Sequence, residues 1–421
     1  MAEQPSLEWL FLDLNGYFAS VEQQVNPGLR GRPIAVVPVA VDGSCAIATS
    51  YEAKDFGVTT GTRIFEAKRL CPGLTLVPAR HDLYVDYHHR VVAEVERHLP
   101  VTQIASIDEV ACRLLGAERE RVNATALAAA IKRGILENVG ECLHCSIGLA
   151  PNRFLAKVAT KLEKPNGLVA LESNELPGRL FDLELLDLPG IGANIARRLS
   201  RANILTVSAL WSSSPKQVRR IWGGIGGERF WYALHGLEIP ESKTARRSIG
   251  HSHVLGPGLR PPPRAHVVAR RLLVKAASRL RRLDLTASAV GLAVRLKSGR
   301  RWKGTLRIPR ARDNFTFLGA LDRLWQEMLV QAGAVPVTRV SVVLINLLAE
   351  AEVTPDLLDA GTASGSTFRE QWERLSIAMD LLNRRYGRDT VVIGSLPEPM
   401  ANFTGTKIAF TRIPKLVEFH E

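Results

Sequence analysis

Apolar runs alternate with amphipathic stretches over the first 170 residues. Trp9-Leu-Phe-Leu-Asp-Leu is apolar except for Asp13, which predicts a buried strand ending near that acid. Further strands are predicted over 33–39, 45–49 and 144–149, with two short strands over 103–115. Helices are predicted over 16–25, 81–99, 124–139 and 152–162, and a turn followed by a helix over 57–70. The mixture predicts an α+β core of about 170 residues.

The later residues follow other patterns. Leu188-Pro-Gly-Ile-Gly lies between two helical stretches of 183–204, which predicts a helix-hairpin-helix whose turn amides can approach a phosphate. An ordinary tight turn between helices is the alternative. After a tether over 238–247, residues 248–347 predict the order βαββαβ. The tail contains one helical stretch, 367–385.

Charge is concentrated in one part of the chain. The formal net charge is +13 and the pI about 9.8. Between Arg246 and Arg312 there are 18 lysines and arginines and one acid, Asp284. A charge run is usually a solvated face, but so many cations with one acid repel one another unless a polyanion neutralises them. Trp302 is the only tryptophan or tyrosine in this segment, which favours phosphate contacts to a duplex over base stacking.

The sequence predicts a cytoplasmic protein with no membrane partner. No apolar run approaches the length of about 18 residues that a membrane span needs. The first residues have neither the basic nor the apolar region of a signal peptide. Five scattered cysteines do not predict a disulfide framework, and Cys142-Leu-His-Cys145 lacks the second cysteine pair of a zinc site.

Three acids are candidates for catalysis. Asp13 ends a strand, and Ser106-Ile-Asp-Glu puts Asp108 and Glu109 together in an apolar stretch. A two-metal site for phosphoryl transfer needs about three carboxylates around two Mg²⁺ ions. Because neighbouring strand residues point to opposite faces, both acids reach a metal only at a strand end or bulge. A solvated turn is the alternative for such a pair.

Five ordered motifs resemble the Y-family translesion DNA polymerases of the bacterial polymerase IV and V type. They are Phe11-Leu-Asp-Leu-Asn-Gly-Tyr-Phe-Ala-Ser-Val-Glu, Ser50-Tyr-Glu-Ala-Lys-Asp-Phe-Gly, Ser106-Ile-Asp-Glu, Ser146-Ile-Gly-Leu-Ala-Pro-Asn-Arg-Phe-Leu-Ala-Lys and Lys164-Pro-Asn-Gly. The resemblance runs from about residue 8 to about 350. It implies template-directed addition of a deoxynucleotide to a primer 3′-hydroxyl, with error-prone synthesis in DNA damage tolerance.

The resemblance implies a right-hand polymerase of α+β class. A ferredoxin-like palm is expected over 1–22 and 83–172, small fingers over 23–82, and a helix-hairpin-helix thumb over 173–242. A βαββαβ little finger is expected over 243–350, followed by a C-terminal extension over 351–421.

It also assigns roles to residues of the site. Asp13, Asp108, Glu109 and the carbonyl of Leu14 would hold two Mg²⁺ ions. Phe18 would be the steric gate that leaves no room for a ribose 2′-hydroxyl, with a plain core aromatic as the alternative. The residues expected to bind the nucleotide are Gly16, Tyr17, Phe18, Tyr51, Lys54 and Lys164. Those expected to contact DNA are Gly190, Gly192, Arg246, Arg247, Arg295, Lys297, Arg300, Arg301 and Lys303.

Three departures from the family pattern bear on activity. Asn15 stands where the family usually has an acid, but that acid is not counted among the family's indispensable ligands. Lys54 stands where the family usually has arginine, and lysine keeps the charge but loses the bidentate fork, which weakens the expected nucleotide binding. Val110 begins the stretch Val110-Ala-Cys-Arg, whose sequence differs from the one that the family usually has in the strand supporting the acids. The main alternative is therefore a catalytically weak or inactive accessory relative that binds primer-template DNA and scaffolds a mutagenesis complex. A structural DNA-binding protein and a nucleotidyltransferase restricted to one base are further alternatives.

The expected partners are primer-template DNA and a deoxynucleoside triphosphate, bound by a monomer. A sliding clamp or other mutagenesis proteins are also considered as partners. However, the tail shows no clear Gln-x-x-Leu-Phe-like peptide of the kind that clamp binders carry.

Overall fold

The computed structural model describes residues 7–38, 40, 42, 44–240, 246–353, 363–387, 389–394 and 413. The described residues up to 240 form one compact unit, and those from 246 to 394 form another. No helix in these ranges is long and apolar enough to cross a membrane.

Short strands and helices alternate through the first unit. Its strands are β1 (Trp9–Leu14), β2 (Ile34–Val37), β3 (Ala48–Thr49), β4 (Thr75–Pro78), β5 (Gln103–Ile104), β6 (Glu109–Arg113), β7 (Cys145–Ala150) and β8 (Leu168–Ala170). Its helices are α1 (Tyr17–Val25), α2 (Tyr51–Lys54), α3 (Ile64–Leu70), α4 (His81–Glu96), α5 (Arg121–Gly134), α6 (Arg153–Leu162), α7 (Ala193–Arg201), α8 (Val207–Trp211), α9 (Pro215–Trp222) and α10 (Ile225–Leu234).

A five-stranded sheet in the order β5-β6-β1-β7-β8 forms the centre of this unit. All six residues of β1 are buried, as its apolar run predicts. The helix α6 packs on β1 and β7. Gly148 of β7 permits this close approach, because a Cβ there would lie 2.0 Å from the carbonyl oxygen of Ala156.

The strands β2, β3 and β4 form a small subregion with a three-stranded sheet of its own, in the order β3-β2-β4. The predicted strand over 45–49 is confirmed only at Ala48–Thr49, whereas the turn and helix predicted over 57–70 are confirmed, with the helix beginning at Ile64. Gly57 and Gly61 have positive φ, which keeps the preceding residues in turns. One small cluster of buried residues in this subregion contains only Ala53, Val58, Ala67 and Cys71.

The predicted helix-hairpin-helix is present only in part. Its second helix is α7, but the stretch before the turn is a single 3₁₀ turn, Leu185–Asp187. Leu188 is extended, as expected for the residue before Pro189, so the 3₁₀ turn ends at Asp187.

The second unit confirms the predicted βαββαβ order. Its elements are β9 (Ser248–Val254), α11 (Pro262–Arg282), β10 (Leu285–Leu296), β11 (Arg301–Ala311), α12 (Asn314–Ala332), β12 (Val337–Ile345), β13 (Leu348–Ala349) and α13 (Ala363–Tyr386). The main sheet has the order β11-β10-β12-β9, and α11 and α12 pack on it around Phe317 and Trp325.

The tail helix α13 packs on α11 and α12. Arg281, which is buried, donates two hydrogen bonds to Asp380 of α13, at 2.7 and 2.9 Å. Arg312 is paired with Glu350 and Glu373. The described part of the tail therefore neutralises some of the arginines in the basic segment.

Candidate active site

The three predicted acids lie at one end of the central sheet. Asp13 of β1 is directly opposite Glu109, the first residue of β6. Asp108 comes immediately before β6, and its carbonyl accepts a hydrogen bond from the backbone of Leu14 at 2.9 Å. Asp108 and Glu109 therefore occupy a strand end, the one placement besides a bulge that lets both side chains reach one site.

Burial and mutual repulsion disfavour the ionised forms of Asp13 and Asp108. Burial raises the pKa of Asp13, which Glu109 raises further and Lys164 lowers. Burial also raises the pKa of Asp108. The hydrogen bond from Ser106 lowers this pKa, whereas the charges of Asp13 and Glu109 raise it further. The site thus concentrates negative charge and favours a cation.

Two lysines are paired with two of the acids. Lys164 Nζ lies 2.6 Å from Asp13 Oδ1, and Lys157 Nζ lies 2.7 Å from Glu109 Oε2. Asp108 accepts a hydrogen bond from Ser106 Oγ at 2.5 Å and has no lysine or arginine partner within the described ranges.

The donor set fits divalent cations, although the side chains are not arranged around an ion. Across the described residues, no group of three or more histidine, cysteine or acidic side chains is close enough to hold a metal. The ammonium groups of Lys164 and Lys157 take the place of a cation at two of the carboxylates. Hard oxygen donors in a negatively charged site are what Mg²⁺ prefers.

Replacing Asp108 with asparagine is expected to stabilise the metal-free protein. A carboxyl whose pKa is raised by folding destabilises the folded chain once it ionises, so this cost grows as pH rises above the unfolded value near 3.8. With a chelator at pH 7, we expect Asp108→Asn to unfold a few degrees above the wild type. The difference should shrink toward about pH 4. The exposed Asp182→Asn serves as control, and a lower Tm for Asp108→Asn would contradict the account.

The predicted triphosphate ligands gather beside Asp13. Tyr51 and Lys54 lie on the short helix α2, with Lys54 Nζ 3.8 Å from the centre of the Tyr51 ring. Burial raises the pKa of Tyr51 to about 12, and the charge of Asp13 contributes. Burial and the charge of Lys164 lower the pKa of Lys54. Lys54 and Lys164 therefore repel each other, and an anion bound beside them would reduce this repulsion.

The predicted steric gate has a rigid support. The Phe18 ring stacks on Tyr84 of α4, with centroids 4.2 Å apart and planes 13° apart. Tyr84 Oη donates to Glu22 Oε1 at 2.7 Å, and Arg80 is paired with the same carboxylate. Tyr17 Oη donates to the carbonyl of Tyr84 at 2.6 Å. Gly16 is the N-cap residue of α1 and has a φ of 58°. There is little space for a side chain, because a Cβ added here would lie 3.1 Å from the carbonyl oxygen of Thr49.

Asn15 is a structural residue in this fold. It is buried, and its Oδ1 accepts a hydrogen bond from the backbone of Asn166 at 2.7 Å. It therefore ties the end of β1 to the loop that carries Lys164. Val110 is a buried core residue of β6.

The second unit presents a row of arginines. Arg301, Arg295 and Arg339 are directly opposite one another on β11, β10 and β12, and all three are exposed. Lys303 and Arg307 are exposed on β11, and Lys297 and Arg300 are exposed between β10 and β11. Like charges on paired strands repel, so this face favours a polyanion. Arg246 and Arg247 are exposed before β9, and Gly190 and Gly192 lie in the turn before α7.

Sequence reasoning missed five residues of these sites: Lys157, Ser106, Tyr84, Arg307 and Arg339. Lys157 ends the motif that begins at Ser146, but the resemblance assigns it no role. Arg307 lies inside the basic segment between Arg246 and Arg312. Arg339 lies outside that segment, and only the strand register brings it beside Arg295.

Two family models match most of the chain. The impB/mucB/samB family matches residues 12–161, and the impB/mucB/samB family C-terminal domain matches residues 246–357. DNA polymerase IV of Moorella thermoacetica is 31% identical over 395 residues, covering 91% of this chain and 94% of its own. DNA polymerase IV of Oceanobacillus iheyensis is 27% identical over 393 residues, covering 90% of each chain.

Solved structures share the fold. A Y-family DNA polymerase chimera of Dbh and Dpo4 superposes with a TM-score of 0.69 at 24% identity, covering 81% of this chain and 99% of that one. An insertion ternary complex of Dbh DNA polymerase gives 0.53 at the same identity and coverage. The predicted α+β polymerase fold is confirmed.

Together, the fold and these matches define a Y-family DNA polymerase, an enzyme of the DNA-directed DNA polymerase class. The chain belongs to the impB/mucB/samB family.

Proposed function

We propose that this chain extends a primer on damaged templates by two-metal nucleotidyl transfer, using Asp13, Asp108 and Glu109. The observation that carries the proposal is the meeting of three acids from distant parts of the sequence at one end of the central sheet, beside Tyr51, Lys54 and Lys164. The substrates are primer-template DNA and a deoxynucleoside triphosphate. The Dbh ternary complex, a fold relative, supports this choice.

Each side chain has a part in the reaction. Asp13, Asp108, Glu109 and the carbonyl of Leu14 would hold two Mg²⁺ ions, which lower the pKa of the primer hydroxyl and neutralise the pyrophosphate. Tyr51, Lys54 and Lys164 bind the triphosphate, with backbone amides near Gly16 and Tyr17 as further donors. Phosphoryl transfer depends mainly on such positioning and charge neutralisation. Binding of the triphosphate gives Lys164 an anionic partner other than Asp13.

The proposed domains follow the sequence assignments: palm 1–22 and 83–172, fingers 23–82, thumb 173–242, little finger 243–350 and extension 351–421. Tolerance of damaged templates follows from the fingers, where the sheet is small and strands are short. A small subregion has little surface with which to press on the nascent base pair. The proposed enzyme acts as a cytoplasmic, nucleoid-associated monomer.

Lesion bypass is tested by primer extension on two templates that differ only in one abasic site. We expect the full chain to extend through the abasic position as well as along the undamaged template. Extension of the undamaged template with complete arrest at the abasic site would contradict the damage-tolerance role.

The arginine row is proposed to bind the DNA backbone. Replacing Arg295, Arg301 and Arg339 with alanine should weaken primer-template binding and flatten its salt dependence, because each lost phosphate contact removes about 0.9 from the slope of log K against log salt. Fluorescence anisotropy at several NaCl concentrations measures both. Lysine at the same three positions keeps the charge and should keep the slope. An unchanged slope in the alanine variant would contradict the assignment.

A further inference from the structure

The loop of residues 164–167, which carries Lys164, is exposed but has a defined position. Lys164, Pro165 and Asn166 are all exposed, so the loop buries little apolar surface. Its position therefore depends on its hydrogen bonds. In that position Lys164 Nζ lies 2.6 Å from Asp13 Oδ1.

One side of the loop is attached to the central sheet. The backbone of Asn166 donates to Asn15 Oδ1 at 2.7 Å, and the backbone of Gly167 donates to Ser146 Oγ at 3.3 Å. Asn15 and Ser146 are buried, and Asn15 Nδ2 donates to Ser146 Oγ at 3.1 Å. These bonds satisfy the backbone donors of Asn166 and Gly167. The carbonyl oxygen of Gly167 also accepts a hydrogen bond from the backbone of Ile147 at 3.0 Å, so the oxygens of Asn166 are the ones that need a further donor.

Lys132, on α5, holds the opposite side. Its Nζ lies 2.6 Å from the carbonyl oxygen of Cys145 on β7, 2.7 Å from the carbonyl oxygen of Asn166 and 2.7 Å from Asn166 Oδ1, one acceptor for each of its three N–H groups. The carbonyl oxygen of Gly167, at 3.2 Å, is a fourth and longer contact that shares one of these donors. None of these acceptors is a carboxylate. One ammonium group thus joins α5, β7 and the loop through oxygen dipoles.

We propose that Lys132 is a positioning residue for nucleotide binding, which acts by holding the 164–167 loop so that Lys164 meets the triphosphate. The inference rests on the proposed function, because Lys164 has this role only if the triphosphate binds beside Asp13. Without Lys132, the carbonyl oxygen and the Oδ1 of Asn166 lose the donor that they share, and the loop loosens. A displacement of about 1 Å at a substrate-positioning group is enough to impair catalysis strongly.

Lysine suits this position for a geometric reason. Its compact ammonium group has three donors that can turn toward oxygens on several sides, whereas the arginine fork is planar and wider. We therefore expect Lys132→Arg to recover only part of what Lys132→Met loses.

The test is a double-mutant cycle on the full-length chain. Single-nucleotide primer extension with Mg²⁺ gives kcat and KM for the dNTP in the wild type, Lys132→Met, Lys164→Ala and the double variant. We expect Lys132→Met to raise KM by on the order of 10-fold, as residues that support a site commonly do, with a smaller change in kcat. In the Lys164→Ala background, the same substitution should raise KM no further.

Arg133→Met is the matched control, because Arg133 is the exposed neighbour of Lys132 on the same helix. It should leave kcat, KM and primer-template affinity unchanged. If Lys132→Met fails to fold, Lys132→Gln repeats the cycle. A variant that is merely less folded would lose kcat at an unchanged KM.

Two failures are distinguishable. If Lys164→Ala leaves KM unchanged, the triphosphate role of Lys164 is wrong, and the action of Lys132 through it is wrong too. If Lys164→Ala raises KM but Lys132→Met does not, or if the two effects multiply in the double variant, the proposed function stands and the role of Lys132 is overturned.

Discussion

Replacing Asp108 and Glu109 together with alanine is expected to lower kcat/KM for nucleotide incorporation by on the order of 10³-fold or more, because metal binding supplies several kcal/mol of transition-state stabilisation. The two residues supply two of the three carboxylates at the strand end. Primer-template affinity should change little, since the proposed DNA contacts lie on other residues. Primer extension and fluorescence anisotropy on the same preparation measure the two properties separately.

The matched control removes two acids elsewhere. Glu66 and Glu137 are both exposed, and the double alanine variant changes the net charge by the same amount. This control should extend primers at the wild-type rate. If the Asp108→Ala, Glu109→Ala variant also does so, the assignment of these acids is wrong.

Replacing Phe18 with alanine is expected to relax the discrimination against ribonucleotides by about 10²-fold, the scale at which a pocket rejects one added hydroxyl group. The stacked Tyr84 ring prevents Phe18 from retreating, since Tyr84 is itself held by Glu22. The ratio of kcat/KM for a deoxynucleotide to that for the matching ribonucleotide measures the effect.

Phe18→Tyr keeps the ring and should keep the discrimination. Tyr84→Phe keeps the stack and loses only the hydrogen bond to Glu22, so its effect should be small. If Phe18→Ala has the wild-type ratio, Phe18 is a core aromatic and not the gate.

The local features of the site could be predicted from the sequence. The apolar run before Asp13 predicts a strand with an acid at its end, and the structure places Asp13 there. The requirement that Asp108 and Glu109 sit at a strand end is also met, since β6 begins at Glu109. Both predictions use only the two-residue period of a strand.

Pairs between distant residues could not be predicted. The contacts of Lys157 with Glu109 and of Lys132 with Asn166 depend on how helices pack on the sheet, which periodicity does not specify. Arg339 joins the arginine row only through the register of β10 with β12. Similarly, nothing in the tail sequence indicated that Asp380 pairs with the buried Arg281.

The central claim is that the three acids form the metal site of a template-directed polymerase. Its most direct test is primer extension by the full-length wild-type chain with all four dNTPs, with Mg²⁺ titrated from zero in a chelated buffer. The account predicts no extension without Mg²⁺ and templated extension that rises with its concentration. Binding of primer-template without extension at any Mg²⁺ concentration would contradict the account and would favour the inactive accessory alternative.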